Sequence, residues 1–192
     1  MDLVLASLLL VLAAVPMGLI ALWIRCDSPG PVLFRQRRVG WHGRSFVLLK
    51  FRTMHAGAER EDGCRQARRD DPRVTRAGAW LRARSIDEWP QLLNVLRGEM
   101  SLVGPRPHAP GTCAGGRPFE QVTPRYAARH RMRPGMTGLA QVRGWRGETD
   151  TEEKLQCRID SDLEYIDTWS VGLDVGILLR TIPAVLNATN AY

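Results

Sequence analysis

The chain has 192 residues, a formal net charge of +7 at neutral pH, and hydrophobic and charged fractions of 44% and 24%. That length accommodates one domain with a sizeable core and is short for two. The positive balance favours anionic partners: nucleic acid, phospholipid headgroups or phosphorylated substrates. Nearly all of the cations are arginine, Lys50 and Lys154 being the only lysines, so the placement of charge says more than its total. Cys26, Cys64, Cys113 and Cys157 are scattered, with no C-x-x-C and no histidine at ligand spacing. This argues against a disulfide framework or a zinc site and suits a reducing compartment.

Residues 3–24 contain no charged side chain and are dominated by Leu, Val, Ala and Ile. As a helix the segment would reach about 33 Å, enough for a hydrocarbon core of about 30 Å. A signal peptide would want a basic start and a short apolar core, whereas this chain opens Met1-Asp2 and its apolar run is long. Arg25, Arg35, Arg37 and Arg38 follow closely, so the carboxyl-terminal side of the segment is expected in the cytoplasm. Pro16 removes one helix hydrogen bond in mid-segment, which allows either a kinked spanning helix or one that returns to the face it entered.

Beyond the turn-rich Asp27-Ser28-Pro29-Gly30-Pro31, two β-prone runs, 32–40 and 45–53, flank a Gly-containing connection and read as a hairpin. Its two-residue period puts Lys50 and Arg52 on one face and Phe51 on the other. That cationic face suits either phosphate or anionic lipid. Residues 56–69 are highly charged and predicted helical, 74–84 form a short helix, and 108–116 read as a flexible loop. Residues 151–169 carry Leu155, Ile159, Leu163 and Ile166 at helical spacing, an amphipathic helix with an acidic side. The apolar run 173–186 is long enough to lie along a membrane or to close the core.

The chemical signal is concentrated in Ser85-Ile86-Asp87-Glu88-Trp89-Pro90-Gln91 and the following residues to Pro107. Ser85 and Glu88 have capping-box spacing. With Ser85 as the cap, however, Pro90 would fall where its missing N–H breaks a helix bond. Starting the helix at or after Asp87 puts Pro90 in the first turn, where those donors are free. The two carboxylates then lie beside the positive end of the helix dipole, a place that suits phosphate chemistry. Neighbouring helix positions diverge by about 100°, so the pair is expected to divide its tasks. One carboxylate can attack phosphorus and the other can hold a divalent cation. Arg106, between Pro105 and Pro107, has a stiff backbone that suits presentation of a guanidinium to phosphate or a planar base.

Taken together, these segments resemble the bacterial sugar transferases known as monotopic phosphoglycosyl transferases. The resemblance rests on Gly30-Pro31-Val32, Phe34-Arg35-Gln36, Arg38-Val39-Gly40, Lys50-Phe51-Arg52-Thr53-Met54, Ser85-Ile86-Asp87-Glu88, Asn94-Val95-Leu96 and the run from Met100 to Pro107. It continues through Arg133-Pro134-Gly135-Met136-Thr137-Gly138, Ala140-Gln141-Val142 and Asp162-Leu163-Glu164-Tyr165-Ile166 to Trp169-Ser170. The run Arg143-Gly144-Trp145-Arg146-Gly147-Glu148-Thr149-Asp150-Thr151 and the terminal Ala191-Tyr192 are most similar to the undecaprenyl-phosphate glucose phosphotransferases of exopolysaccharide synthesis. The likeness spans the chain in order.

The resemblance implies an α+β fold, mostly helical with a small β-hairpin. Its anchor would be a proline-broken re-entrant membrane helix over residues 1–26, with amphipathic helices on the membrane surface. Residues 27–192 would form the catalytic domain at the cytoplasmic face of the bacterial inner membrane. The implied reaction moves a hexose-1-phosphate, glucose-1-phosphate first and galactose-1-phosphate second, from a UDP-sugar to undecaprenyl phosphate with release of UMP. Asp87 would be the nucleophile that carries the phosphosugar, and Glu88 the ligand of Mg2+. Lys50, Arg52, Arg82 and Arg106 would bind substrate phosphate or nucleotide, and Asp162 would complete the substrate site. Downstream glycosyltransferases are the implied protein partners.

Two other readings differ in class. A membrane scaffold descended from the same family would bind UDP-sugar without releasing UMP, and the intact Asp87–Glu88 pair argues against it. A nucleic-acid binder would need a recognition helix with clustered basic residues or an aromatic stacking platform, and the sequence offers neither. Larger glucose-type members carry a multi-span amino-terminal region, so this chain is expected to be a short member or a catalytic part.

Overall fold

Helix α1, Asp2–Asp27, is long and apolar enough to cross a membrane, with a mean hydropathy of 2.7 over its best window. Pro16 lies inside it without ending the helix. In the computed structural model, which describes residues 1–58 and 71–186, one side of α1 rests on the rest of the chain. Near its start, Leu5, Ala6 and Leu10 pack into a core containing Leu92, Val95, Met100 and Leu102. Near its end, Met17, Ile20, Ala21 and Ile24 pack with Phe51 and Leu81. The other side exposes Val4, Leu8, Val11, Leu12, Val15, Leu19 and Leu22. An apolar surface this extensive is kept from water only by lipid or by another apolar surface.

The predicted hairpin forms from β1 (Leu33–Val39) and β2 (Ser45–Phe51), antiparallel with Phe34 opposite Lys50 and Arg38 opposite Phe46. A short 3-10 turn, Trp41–Gly43, joins them through His42 and Gly43, both at positive φ. The free edge of β2 is closed by one side chain rather than by another strand. Asn94, fully buried, accepts from the Leu49 amide at 3.0 Å and donates to the Val47 carbonyl at 2.8 Å. It thereby replaces the two bonds a neighbouring strand would make.

Helix α2 (Arg76–Ala83) is capped by Thr75, whose hydroxyl accepts from the Gly78 amide at 3.0 Å. After a 3-10 turn, Ile86–Gln91, comes α3 (Leu92–Leu96). Strand β3 (Ser101–Val103) pairs in parallel with the later β6 (Gly135–Thr137). Between them a small hairpin, β4 (Cys113–Ala114) with β5 (Arg117–Pro118), leads into α4 (Phe119–Val122) and a 3-10 turn, Pro124–Arg131. The chain closes with α5 (Leu139–Val142), α6 (Glu152–Asp167) and α7 (Val171–Leu186). Leu155, Ile159 and Leu163 of α6 form a second core with Phe119 and Tyr126.

The α+β class, the mainly helical content and the hairpin agree with the expectations. Of the local readings, two lie wholly or partly outside the described residues and two are corrected. Part of the predicted 56–69 helix, 59–69, lies outside the described residues, as does Ala191-Tyr192. The 108–116 segment is no bare loop: Ala109, Thr112, Cys113 and Ala114 are buried. The two glycines at positive φ, Gly115 and Gly116, turn the small hairpin that packs it down. Cys26 and Cys157 are free, but Cys113 is disulfide-bonded. Scattered spacing in sequence does not prevent pairing in a fold, so cysteine usage no longer speaks for a reducing compartment.

Candidate active site

Asp87 and Glu88 stand on the 3-10 turn Ile86–Gln91, reached through Ser85 in the left-handed region at φ 56. A non-glycine residue held there stores on the order of 1 kcal/mol and is kept in place by its surroundings. Ser85 makes no capping bond from its side chain; its hydroxyl instead accepts from Arg146 Nη2 at 2.7 Å. The rejection of the capping box holds. The helical turn nevertheless starts at Ile86, ahead of the expected position, and it is a 3-10 turn running into the five-residue α3. Elements this short carry little macrodipole. The field at the carboxylates therefore comes from side chains.

Lys50, on β2, reaches both carboxylates: its Nζ lies 2.7 Å from Glu88 Oε1 and 3.6 Å from Asp87 Oδ2. Arg106 grips Glu88 with both terminal nitrogens, Nη1 donating to Oε2 at 3.2 Å and Nη2 to Oε1. Burial pushes Glu88 up, but Arg106 and Lys50 outweigh it and hold the carboxyl well below the usual range. For Asp87 burial wins over Lys50, and its carboxyl is raised. Two adjacent carboxylates thus have opposite electrostatics. One is a permanent anion; the other is a desolvated and more basic carboxylate suited to nucleophilic attack.

The Pro105-Arg106-Pro107 corner is held at all three carbonyls. Gly135 N donates to Pro105 O at 2.9 Å, Arg129 Nη2 to Arg106 O at 2.7 Å and Arg38 Nη1 to Pro107 O at 3.2 Å. Arg129 is itself fixed by Asp162, through Nε at 3.1 Å and a second bond from Nη2, in a pair only 2% and 3% exposed. It also meets His108 Nδ1 at 2.8 Å, and the same nitrogen lies 3.1 Å from the Tyr126 hydroxyl. Burial, then the charge of Arg129, lowers His108 far enough to keep it neutral. A crevice lined by Val39, Gly40, Arg106, Met132 and Pro134 runs between this corner and the hairpin end.

The structure gathers some predicted residues and disperses others. Asp87, Glu88, Lys50 and Arg106 meet directly. Arg82 stands close enough for its charge to act on Asp87, with Nη1 3.5 Å from the Thr53 hydroxyl. Arg52 lies past the end of β2, and its buried guanidinium donates to the carbonyls of Ile24, Ser28 and Pro29, closing the end of α1. Asp162 is committed to Arg129 and touches the corner only through it. Sequence reasoning gave no site role to Arg129, Arg38, His108 or Arg146, although Arg38 and Arg146 lie in runs that carry the family resemblance. Among the described residues no three His, Cys, Asp or Glu side chains gather into a metal cluster.

The model of the bacterial sugar transferase family matches residues 1–188. The chain belongs to that family. It is 56% identical over its whole length to a UDP-glucose:undecaprenyl-phosphate glucose-1-phosphate transferase of Caulobacter vibrioides, covering 70% of that protein. Over 97% of its length it is 53% identical to an undecaprenyl-phosphate glucose phosphotransferase of Komagataeibacter xylinus, of which it spans 35%. It is 48% identical, also over 97% of its length, to the exopolysaccharide production protein PSS of Rhizobium leguminosarum, spanning 92% of it. In this sugar transferase the Asp87–Glu88 pair meets Lys50 and an arginine corner held at three carbonyls.

Proposed function

We propose that the chain is a phosphoglycosyl transferase that moves glucose-1-phosphate from UDP-glucose to undecaprenyl phosphate, releasing UMP. The observation that carries this reading is the split pair: Asp87 made basic by burial, beside Glu88 held ionised by Arg106 and Lys50. Asp87 attacks the sugar-bearing phosphorus of the diphosphate. A P–O bond to Asp87 forms as the bond to UMP breaks, and the leaving electrons stay on UMP. Lys50 and Arg106 face the charge that develops on the phosphoryl oxygens. The glucose names among the relatives support the choice of sugar, and the exopolysaccharide name supports a role in the first step of polysaccharide assembly.

Glu88 is the residue that would hold Mg2+. Mg2+ is commonly held by one or two carboxylates completed by substrate phosphates. Both Glu88 oxygens meet Lys50 or Arg106, so the fit requires those cations to turn from Glu88 to the diphosphate as the donor enters. Bound there, the ion would supply charge neutralisation for the diphosphate.

Helix α1 supports a membrane arrangement. A spanning helix carries one end away from its domain by the thickness of the bilayer. Here Ala6 near the start and Ile24 near the end are both buried on the same body. That supports a helix entering and leaving one face, with residues 27–192 on the cytoplasmic side of the bacterial inner membrane. The exposed apolar side chains of α7, Val171, Val175, Leu179 and Ile182, lie at helical spacing and support contact with the same surface.

The test is UMP release by the membrane-embedded protein with Mg2+, undecaprenyl phosphate and UDP-glucose, UDP-galactose or a UDP-N-acetylhexosamine. Release with UDP-glucose, abolished by Asp87→Asn and by chelation, is expected. Release with another donor alone would change the sugar. Binding of UDP-sugar without any release would overturn the catalytic reading in favour of a scaffold.

A further inference from the structure

The cations around the dyad differ in what neutralises them. Glu88 takes the charge of Lys50 and Arg106, and Asp162 takes that of Arg129. Arg146 meets only neutral oxygens: Nη2 donates to Ser85 Oγ at 2.7 Å and Nη1 to the Ala184 carbonyl at 2.9 Å. Among the described residues no carboxylate pairs with it. Yet Ser85 is two residues from Asp87, and the charges of Asp87, Glu88 and Arg106 all act on this guanidinium. A half-buried arginine bonded only to neutral oxygens keeps its charge unpaired at contact distance, and an incoming anion would pair it.

Its position says where that anion comes from. Ala184 lies near the end of α7, the helix with the exposed apolar stripe, and Trp145 beside Arg146 is exposed. Indole side chains concentrate where membrane meets water. Arg106, in contrast, lines the crevice on the hairpin side. The dyad therefore has a cation on each of two approaches, one toward the hairpin and one toward the apolar helix.

We infer that Arg146 is the seat of the acceptor's phosphate monoester, received from the membrane along α7, while Lys50 and Arg106 serve the donor's diphosphate. This assignment rests on the two-step reading above. In the second step an acceptor phosphate oxygen attacks the phosphorus carried by Asp87. A diphosphate P–O bond forms, the P–O bond to Asp87 breaks, and its electron pair returns to the carboxylate. With the acceptor entering as a dianion, no proton is gained or lost. Arg146 aligns the incoming oxygens by charge-assisted, forked hydrogen bonds and offsets the repulsion between two anionic phosphates.

The experiment separates the two steps. Protein in phosphatidylcholine nanodiscs is mixed with UDP-glucose and Mg2+ without acceptor, and the stoichiometric burst of UMP is timed. Undecaprenyl phosphate is then added and the charged enzyme's discharge is followed. Arg146→Met is expected to slow discharge, or to raise the KM for undecaprenyl phosphate, by about 30- to 100-fold, the loss of a charge-assisted phosphate contact. It should slow the burst by no more than about threefold on the same energetic reasoning. Arg146→Lys, which keeps the charge and loses the fork, should recover part of the discharge rate, and it carries the test if Arg146→Met fails to fold.

Equal slowing of burst and discharge in both variants would overturn the inference and make Arg146 a brace for Ser85. Loss of nanodisc binding that appears only with anionic phosphatidylglycerol, discharge being normal, would also overturn it and make Arg146 a bilayer-headgroup contact. A wild-type protein with steady UMP release but no acceptor-free burst would instead overturn the two-step reading itself.

Discussion

Asp87 and Glu88 are adjacent in the chain and shifted in opposite directions, because Arg106 hydrogen-bonds Glu88 and acts on Asp87 only through its charge, which leaves burial to dominate at Asp87. The consequence for pH dependence has a definite sign. A carboxyl raised in the folded protein takes up its proton earlier as pH falls, so the nucleophile is lost above the ordinary aspartate range of about 4. Glu88, held low, stays ionised through that loss. The acid limb of UMP release should therefore report one group and inflect above about pH 4. The same shift has a cost in stability. Folding favours the protonated form of Asp87, so ionising it costs stability as pH rises through its folded value. Asp87→Asn should abolish turnover yet melt no lower than wild type at neutral pH, as measured by thermal unfolding. Asp162→Asn should do the reverse to stability. It strands Arg129 in a nearly sealed site, an expected loss of about 3 kcal/mol or more. Asp162 illustrates the limit of reading residues singly: no local pattern shows that it pairs with Arg129, which in turn holds the arginine corner.

At the scale of elements, the site depends on backbones that approach closely. Strands β3 and β6 bring Gly104, Gly135 and Gly138 together, and a Cβ on Gly135 would collide with Gly104 N and the Thr137 carbonyl. Backbone atoms cannot yield as a flexible side chain can. Gly135→Ala should cost about 3 kcal/mol or more, and denaturant unfolding would measure it. It should also lower activity, because Gly135 N supports the Pro105 carbonyl and hence Arg106. The hairpin and the helices α2 and α6 were legible from periodicity and punctuation. The 3-10 geometry at Ile86–Gln91 was not: it opens from Ser85 at positive φ, a conformation that no local pattern announces. Nor was the role of Arg52. Alternation put it with Lys50 on one face, but it falls past the end of β2 and turns to the carbonyls at the end of α1.

For the whole molecule, the central fact is that α1 and the catalytic body share cores at both ends of the helix. An epitope tag placed before Met1 should therefore be reached by antibody only after the inner membrane of spheroplasts is permeabilised. Labelling of intact spheroplasts would mean that α1 spans. Composition, charge order and motif order by themselves determined the family, the long apolar first helix, the adjacent carboxylates and the cations Lys50 and Arg106 that meet them, since each is written in local residue type and spacing. Only the tertiary structure decided which cations meet which anions, that Arg129 braces the arginine corner and Arg146 meets Ser85, and that the surroundings raise Asp87 while lowering Glu88. Those outcomes depend on burial and on distances of a few ångströms between segments far apart in the chain, and neither is encoded in any one stretch of sequence.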